Sequence, residues 1–167
     1  NIKFYLLNKS IICKSHNGYL LNEPWEIKNK SGSFFKVFTP FWRANFEILQ
    51  NKKNYLNSPK KNIFYNKIVD KSLAISDLGL NLPKKKWMNK IFAKWKVGEE
   101  EAKKKLKFFI KTKLHDYGLG RDRPDIEFTS KLSPHLHFGE ISPKRIFYEV
   151  MKSKIDDANK KKYLSEI

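Results

Sequence analysis

The apolar positions of this chain fall into three patterns. Residues 1–39 carry short apolar runs at 2–7, at 10–13 and at 34–39, the last ending at Pro40. Asn17-Gly18, Asn22-Glu23-Pro24 and Lys30-Ser31-Gly32 break them. Short runs bounded by such turn residues predict strands and turns. Residues 41–49 predict a helix with Phe41, Phe46 and Leu49 as its apolar contacts. Residues 51–94 are rich in Asn and Lys and hold only short apolar clusters, at 63–65 and 73–82. A structureless loop of that length is unusual inside one compact domain, so this stretch predicts a connection between domains.

From Trp95 onward the period becomes helical. Gly98-Glu99-Glu100-Glu101 places carboxylates at a helix start, where the macrodipole favours them. Ala102, Leu106, Phe109, Ile110 and Leu114 follow on one stripe, and Lys103, Lys104, Lys105, Lys107 and Lys111 fill the rest of the surface. This helix is expected to stop near Tyr117-Gly118, with a loop over 118–130 broken by Gly118, Gly120 and Pro124. Ser133-Pro134 and Ser142-Pro143 each predict a helix start, because proline is tolerated at the first helical position. Asp156 or Asp157 is expected to cap a last helix that runs through Tyr163, Leu164 and Ile167.

Charge and composition then narrow the class. Lys and Arg total 35 against 17 Asp and Glu, a formal net charge of +18, in a chain of 167 residues. A hydrophobic content of 40% with 14% aromatics excludes a disordered polycation. A single cysteine, Cys13, excludes a disulfide framework or a Cys-rich zinc site and reads as a small buried apolar residue. No run approaches the ~18 apolar residues of a membrane span, so no membrane partner is expected. The excess positive charge points to a polyanion such as nucleic acid. An AT-rich genome would produce the same Lys, Asn and Ile bias, so the charge alone fixes no function. The start at Asn1 without Met and the stop at Ile167 inside a helical pattern raise the expectation of a piece of a longer protein. Without an export signal, the expected compartment is the cytoplasm.

Residues 117–145 carry the chemistry. Thr129, Ser130 and Ser133 set hydroxyls beside Lys131, just ahead of a predicted helix start. Hydroxyls, backbone N–H groups and one ammonium form a phosphate cradle; the bland alternative is an ordinary Ser cap with solvated neighbours. His135 and His137 have no Cys or carboxylate cluster beside them, so no metal site is expected. Trp25, Trp42, Trp87 and Trp95 read as packing residues.

The run Thr129-Ser130-Lys131-Leu132-Ser133-Pro134-His135-Leu136-His137-Phe138-Gly139-Glu140-Ile141-Ser142-Pro143 resembles the DNA photolyase/cryptochrome family. Val37-Phe38-Thr39-Pro40-Phe41-Trp42, the segment from Trp95 to Gly98-Glu99, and Tyr117 to Pro124 extend the resemblance. It covers nearly the whole chain, is weakest over 50–94, and is most like a class I cyclobutane pyrimidine dimer photolyase. The fold it implies is mixed. Residues 1–45 would be the C-terminal end of an α/β antenna-binding domain, 46–94 an interdomain linker, and 95–167 the start of an all-α FAD-binding domain.

The resemblance also implies roles. Tyr117 and Tyr163 would line the flavin pocket, and Thr129, Ser130, Lys131, Leu132 and Ser133 would hold the FAD diphosphate. Lys131 stands where many family members carry Arg, which keeps the charge but loses the planar fork. Arg121 would contact a DNA phosphate, with a surface ion pair to Asp122 or Asp125 as the alternative. Glu166 would hydrogen-bond the flipped dimer. No catalytic residue is expected within this stretch. The implied parent is a light-driven deoxyribodipyrimidine photo-lyase, monomeric, acting on UV-damaged DNA by electron transfer from photoexcited reduced flavin. In the full-length protein the resemblance leaves room for an antenna chromophore, folate or deazaflavin, beside FAD, and does not choose between them. The alternative is a cryptochrome, a flavin photoreceptor without repair. The stretch alone is expected to bind FAD poorly and to be inactive.

Overall fold

The computed structural model describes residues 2–51, 73–80 and 85–167. Eight α-helices are described: α1 (Ile2–Asn8), α2 (Phe38–Asn51), α3 (Lys86–Lys94), α4 (Glu99–Thr112), α5 (Tyr117–Gly120), α6 (Ser133–His137), α7 (Pro143–Lys152) and α8 (Asp157–Leu164). Short 3-10 turns lie at Pro24–Glu26, Ile75–Leu78 and Leu114–Asp116. No helix among the described residues is long and apolar enough to cross a membrane.

The core is built on α4. Gly98 precedes it with φ +105°, a conformation that L side chains rarely adopt, and Glu99, Glu100 and Glu101 occupy its first turn. Lys103 answers Glu99 at 2.8 Å, the favourable i,i+4 order on a helix surface. Ala102, Leu106 and Phe109 are buried along its inner face. After Thr112 the α-helix gives way to the 3-10 turn at Leu114–Asp116 and then to α5, so the chain turns within a few residues without a long loop. Leu114 is fully buried at that turn.

α7 and α8 close over this core. The Arg145 N–H donates to Ser142 Oγ at 3.2 Å, and Pro143 takes the first helical position of α7. The Asn159 N–H donates to Asp156 Oδ1 at 2.9 Å, so Asp156 is the cap of α8. Ile146, Phe147 and Val150 of α7 and Tyr163 and Leu164 of α8 join Leu106, Phe109 and Leu114 in one cluster. α2 packs on it through Leu49 and an edge-to-face contact between Phe46 and Phe147 at 5.5 Å.

The N-terminal expectations need correction. Residues 2–7, read as a strand, lie in α1, and residues 10–13 take no regular structure. No strand occurs among the described residues. A strand must find a pairing edge, whereas a helix satisfies its hydrogen bonds locally, and no segment among the described residues offers an edge. The 34–39 run also differs: Phe38 and Thr39 form the first turn of α2. Pro40 sits in that turn, where a missing N–H costs nothing because the first N–H groups have no intrahelical partner. Cys13 is exposed, not buried. Trp25 and Trp87 are more than half exposed, while Trp42 and Trp95 are partly buried. Most of the expected connection lies outside the described residues; within it stand the end of α2, the turn at Ile75–Leu78 and α3.

Candidate functional site

The short helix α5 and the long-range neighbour α8 bring the first group of candidates together. Tyr117 opens α5 and Tyr163 lies near the end of α8. Their rings meet edge-to-face at 5.1 Å, and Phe109 of α4 touches both, at 5.7 and 4.5 Å. All three are buried. Asn159 ties the two elements. Its Oδ1 accepts from the Gly118 N–H at 2.7 Å, while its Nδ2 donates to the His115 carbonyl at 2.6 Å. Gly120 is required for a different reason: a Cβ there would stand 2.2 Å from the Phe128 ring.

Burial pushes both phenols above the ordinary tyrosine value. At Tyr117 the nearby Arg121 charge works against that rise. Tyr163 is the more buried, and its hydroxyl makes no well-formed hydrogen bond. The Ser130 side chain lies close enough to the hydroxyl to act on it as a hydrogen-bonding neighbour and works against that rise, and the Tyr117 phenol adds to it, which brings Ser130 to this wall. A buried hydroxyl without a well-formed hydrogen bond among the described residues is uncommon.

Arg121, in the first position after α5, lies 5.8 Å from the Tyr117 ring centroid. It pairs with Glu166, just beyond α8, and its Nε donates to Asp122 Oδ1 at 3.1 Å. Arg123 takes Asp125 at 2.5 Å. So the Asp122 alternative raised for Arg121 is met, and Asp125 belongs to its neighbour. Glu166 is at once the partner of Arg121 and a wall of an open groove of about 640 Å³. Ser133, Leu164 and Ile167 line the same groove, with Phe41, Trp42 and Asn45 of α2 across from them. Tyr117, Tyr163, Arg121 and Glu166 are thus linked by direct contacts, with Ser130 beside Tyr163, whereas of these candidates the groove itself is lined by Ser133 and Glu166 while Tyr117 and Tyr163 belong to the core.

The remaining loop residues behave differently. Leu132 is fully buried and precedes α6 as a packing anchor. Thr129 is exposed. Lys131 holds φ +53°, the left-handed region, and its ammonium pairs with Glu127. That ion pair holds the Glu127 carboxyl below its ordinary value.

Three features were not foreseen from the sequence. Asn45 is buried on the inner face of α2 and accepts from Asn22 Nδ2 at 2.6 Å. An amide among the apolar Trp42, Phe46 and Leu49 spacing was the available signal. Asn159 is one polar residue of the lysine-rich α8, and nothing local in the sequence marks it. His135 is buried beside Trp95, and its Nδ1 lies 2.5 Å from Glu140 Oε2. The His135 hydrogen bond, then the Gly98 N–H, hold Glu140 below the ordinary carboxylate value. Among the described residues, no three metal-ligating side chains converge.

Comparisons with known proteins agree with one another. The family profile described as DNA photolyase matches residues 1–60. A deoxyribodipyrimidine photo-lyase of Agrobacterium fabrum is 36% identical over 147 residues, covering 88% of this chain and 30% of that protein. Cryptochrome-1 of Arabidopsis thaliana is 34% identical over 160 residues, covering 94% and 23%. The crystal structure of a class III photolyase from Agrobacterium tumefaciens superposes with a TM-score of 0.73 at 31% identity. The match covers 99% of this chain and 34% of the solved one, so the chain spans about a third of that relative.

Proposed function

This chain belongs to the DNA photolyase/cryptochrome family, and on that footing we propose that it is part of a light-driven, FAD-dependent lyase that splits cyclobutane pyrimidine dimers. The observation that carries this reading is the convergence of Tyr117, Arg121, Tyr163 and Glu166 at the meeting of α5 and α8, with the 129–133 loop against it. In this proposal residues 1–45 close an α/β domain, 46–94 connect it, and 95–167 begin the helical cofactor domain.

The residues present fit a flavin nucleotide. Tyr163 offers a buried hydroxyl with no well-formed hydrogen bond, Ser130 being its polar neighbour, and Tyr117 a second phenol beside it. Thr129, Ser130 and Ser133 supply hydroxyls to a diphosphate, and Lys131 supplies a cation on exchanging its Glu127 partner. When bound, reduced FAD supplies blue-light-driven one-electron chemistry. The chain's own residues bind and orient. The aromatic wall excludes water, Glu166 accepts hydrogen bonds from a flipped base, and Arg121 meets the phosphate backbone and fixes register without reading sequence. Because Arg121 and Glu166 are paired, binding of either group to DNA releases or shares the other. A folate or deazaflavin antenna belongs to the same proposal.

The test uses the full-length protein, a dimer-containing oligonucleotide and blue light. Dimers are expected to disappear under light and persist in the dark, and Glu166→Gln is expected to slow their loss while leaving flavin absorbance unchanged. Persistence of dimers under light with flavin bound would sink the lyase reading. It would favour the second one, a cryptochrome photoreceptor, which the resemblance to Arabidopsis cryptochromes supports.

A further inference from the structure

α6 is five residues long, too short to hold its own direction. The turn that ends it is closed twice. The Glu140 N–H donates to the His135 carbonyl at 2.8 Å and the Gly139 N–H to the Leu136 carbonyl at 3.2 Å, with Gly139 at φ +69°. In a helix end bonded this way, the residues at the places of His135 and Glu140 ordinarily make an apolar contact. Here they are an imidazole and a carboxylate. His135 is 2% exposed, and an ionised carboxylate only accepts, so the His135 Nδ1–H donates to Glu140. Its Nε2 meets no hydrogen-bond partner among the described residues, and the Trp95 ring stands edge-on to the imidazole at 6.5 Å. Glu140 also reaches the Gly98 N–H at the head of α4.

Burying polar groups costs stability unless each is held, and an apolar pair would close the same turn. Closure of the turn therefore does not explain the pair. What the pair adds is a directed link from α6 through Glu140 to the start of α4. At its other end α6 begins at Ser133, with Leu132 buried ahead of it and Thr129, Ser130 and Lys131 before that. We infer that His135 is a positioning residue for the flavin diphosphate: gripped by Glu140, it sets the direction of α6 and so the place at which Ser133 and residues 129–131 present their hydroxyls and cation. This rests on the reading of that loop as the FAD cradle, and adds to it a buried residue that acts through the loop.

The experiment titrates flavin-free full-length protein with FAD and, separately, with riboflavin, which lacks the diphosphate. His135→Leu is expected to weaken FAD about tenfold and riboflavin less than about twofold. His135→Asn, whose Nδ2 stands where Nδ1 does, is expected to bring FAD binding back to within about twofold of wild type. His135→Leu/Glu140→Leu gives the turn its ordinary apolar contact. It is expected to recover the unfolding midpoint yet bind FAD as weakly as His135→Leu, and it carries the test where the single variant folds poorly. Amide exchange over residues 129–133 of the flavin-free protein is expected to quicken in both Leu variants and return in the Asn variant. Wild-type protein that takes up no FAD would overturn the cofactor reading and this inference with it. FAD uptake by wild type that the double Leu variant matches, a loss shared equally by riboflavin, or no rescue by Asn would overturn this inference alone.

Discussion

The two ends of the chain use aromatic side chains in opposite ways. In the α4–α8 region Phe109 is 1% exposed and Tyr163 3%; in the N-terminal stretch Phe4 is 66% exposed and Tyr5 61%. Aromatic content is therefore no measure of a core. What separates the regions is geometry: α4 has 14 residues, a carboxylate-rich first turn and a stripe that meets α7 and α8. α1 has 7 residues, and none of them is buried.

The largest expected difference comes from cutting one ring in each region. Phe109→Ala removes the residue that both tyrosines touch and is expected to cost about 3–5 kcal/mol. Phe4→Ala is expected to stay within about 0.5 kcal/mol. Urea unfolding of the two variants compares them, and equal shifts would break the contrast. Next comes Gly120→Ala, whose new methyl collides with Phe128; overpacking of this kind costs about 1–3 kcal/mol, read as a fall in the unfolding midpoint. A Phe128→Ala partner that restores the midpoint would confirm the cause.

A smaller effect is expected at a helix cap. Asp156→Ala removes the acceptor for the Asn159 N–H and should cost about 1 kcal/mol. It also frees the Asn159 side chain, so faster hydrogen exchange at Gly118 is expected with it. The smallest effect concerns acid. Glu140 is held below its ordinary value in the folded state by His135 and the Gly98 N–H. Its contribution is full above the unfolded value of about 4.3 and is lost as pH falls through the lower folded value. The stability gap between wild type and Glu140→Gln should therefore be fully open above the unfolded value of about 4.3 and narrow as the pH falls below it. A gap that widens on acidification would show the sign to be wrong.

The C-terminal region was legible because its signals are local. Gly98 before three Glu, Ser142-Pro143, and Asp156 three residues before Asn159 each state a helix start within one turn. The 2–7 run had no such signal. A short, continuous apolar run reads as strand or helix alike until a partner edge is known to be present or absent. The site divides in the same way. The hydroxyl-rich 129–133 loop is visible as a string of residues. The Arg121–Glu166 pair joins positions 45 apart, and the Asn159 hydrogen bond to Gly118 spans 41. Nothing in the local sequence marks either. The helix that begins at Glu99 was expected to stop near Tyr117-Gly118; α4 instead ends at Thr112 and the chain turns at Leu114–Asp116 before Tyr117 meets Tyr163.

The left-handed backbone at Lys131 sets two selective pressures against each other. Glycine is the residue which that conformation favours, and an L side chain there is strained by about 1–2 kcal/mol. A variant library sorted for heat resistance alone should enrich glycine at this position and discard the cation. If Lys131 holds the FAD diphosphate as proposed, a library sorted for flavin retention should keep a cation there. On that proposal, thermostability engineering and flavin loading are expected to trade off at this position, one codon at a time.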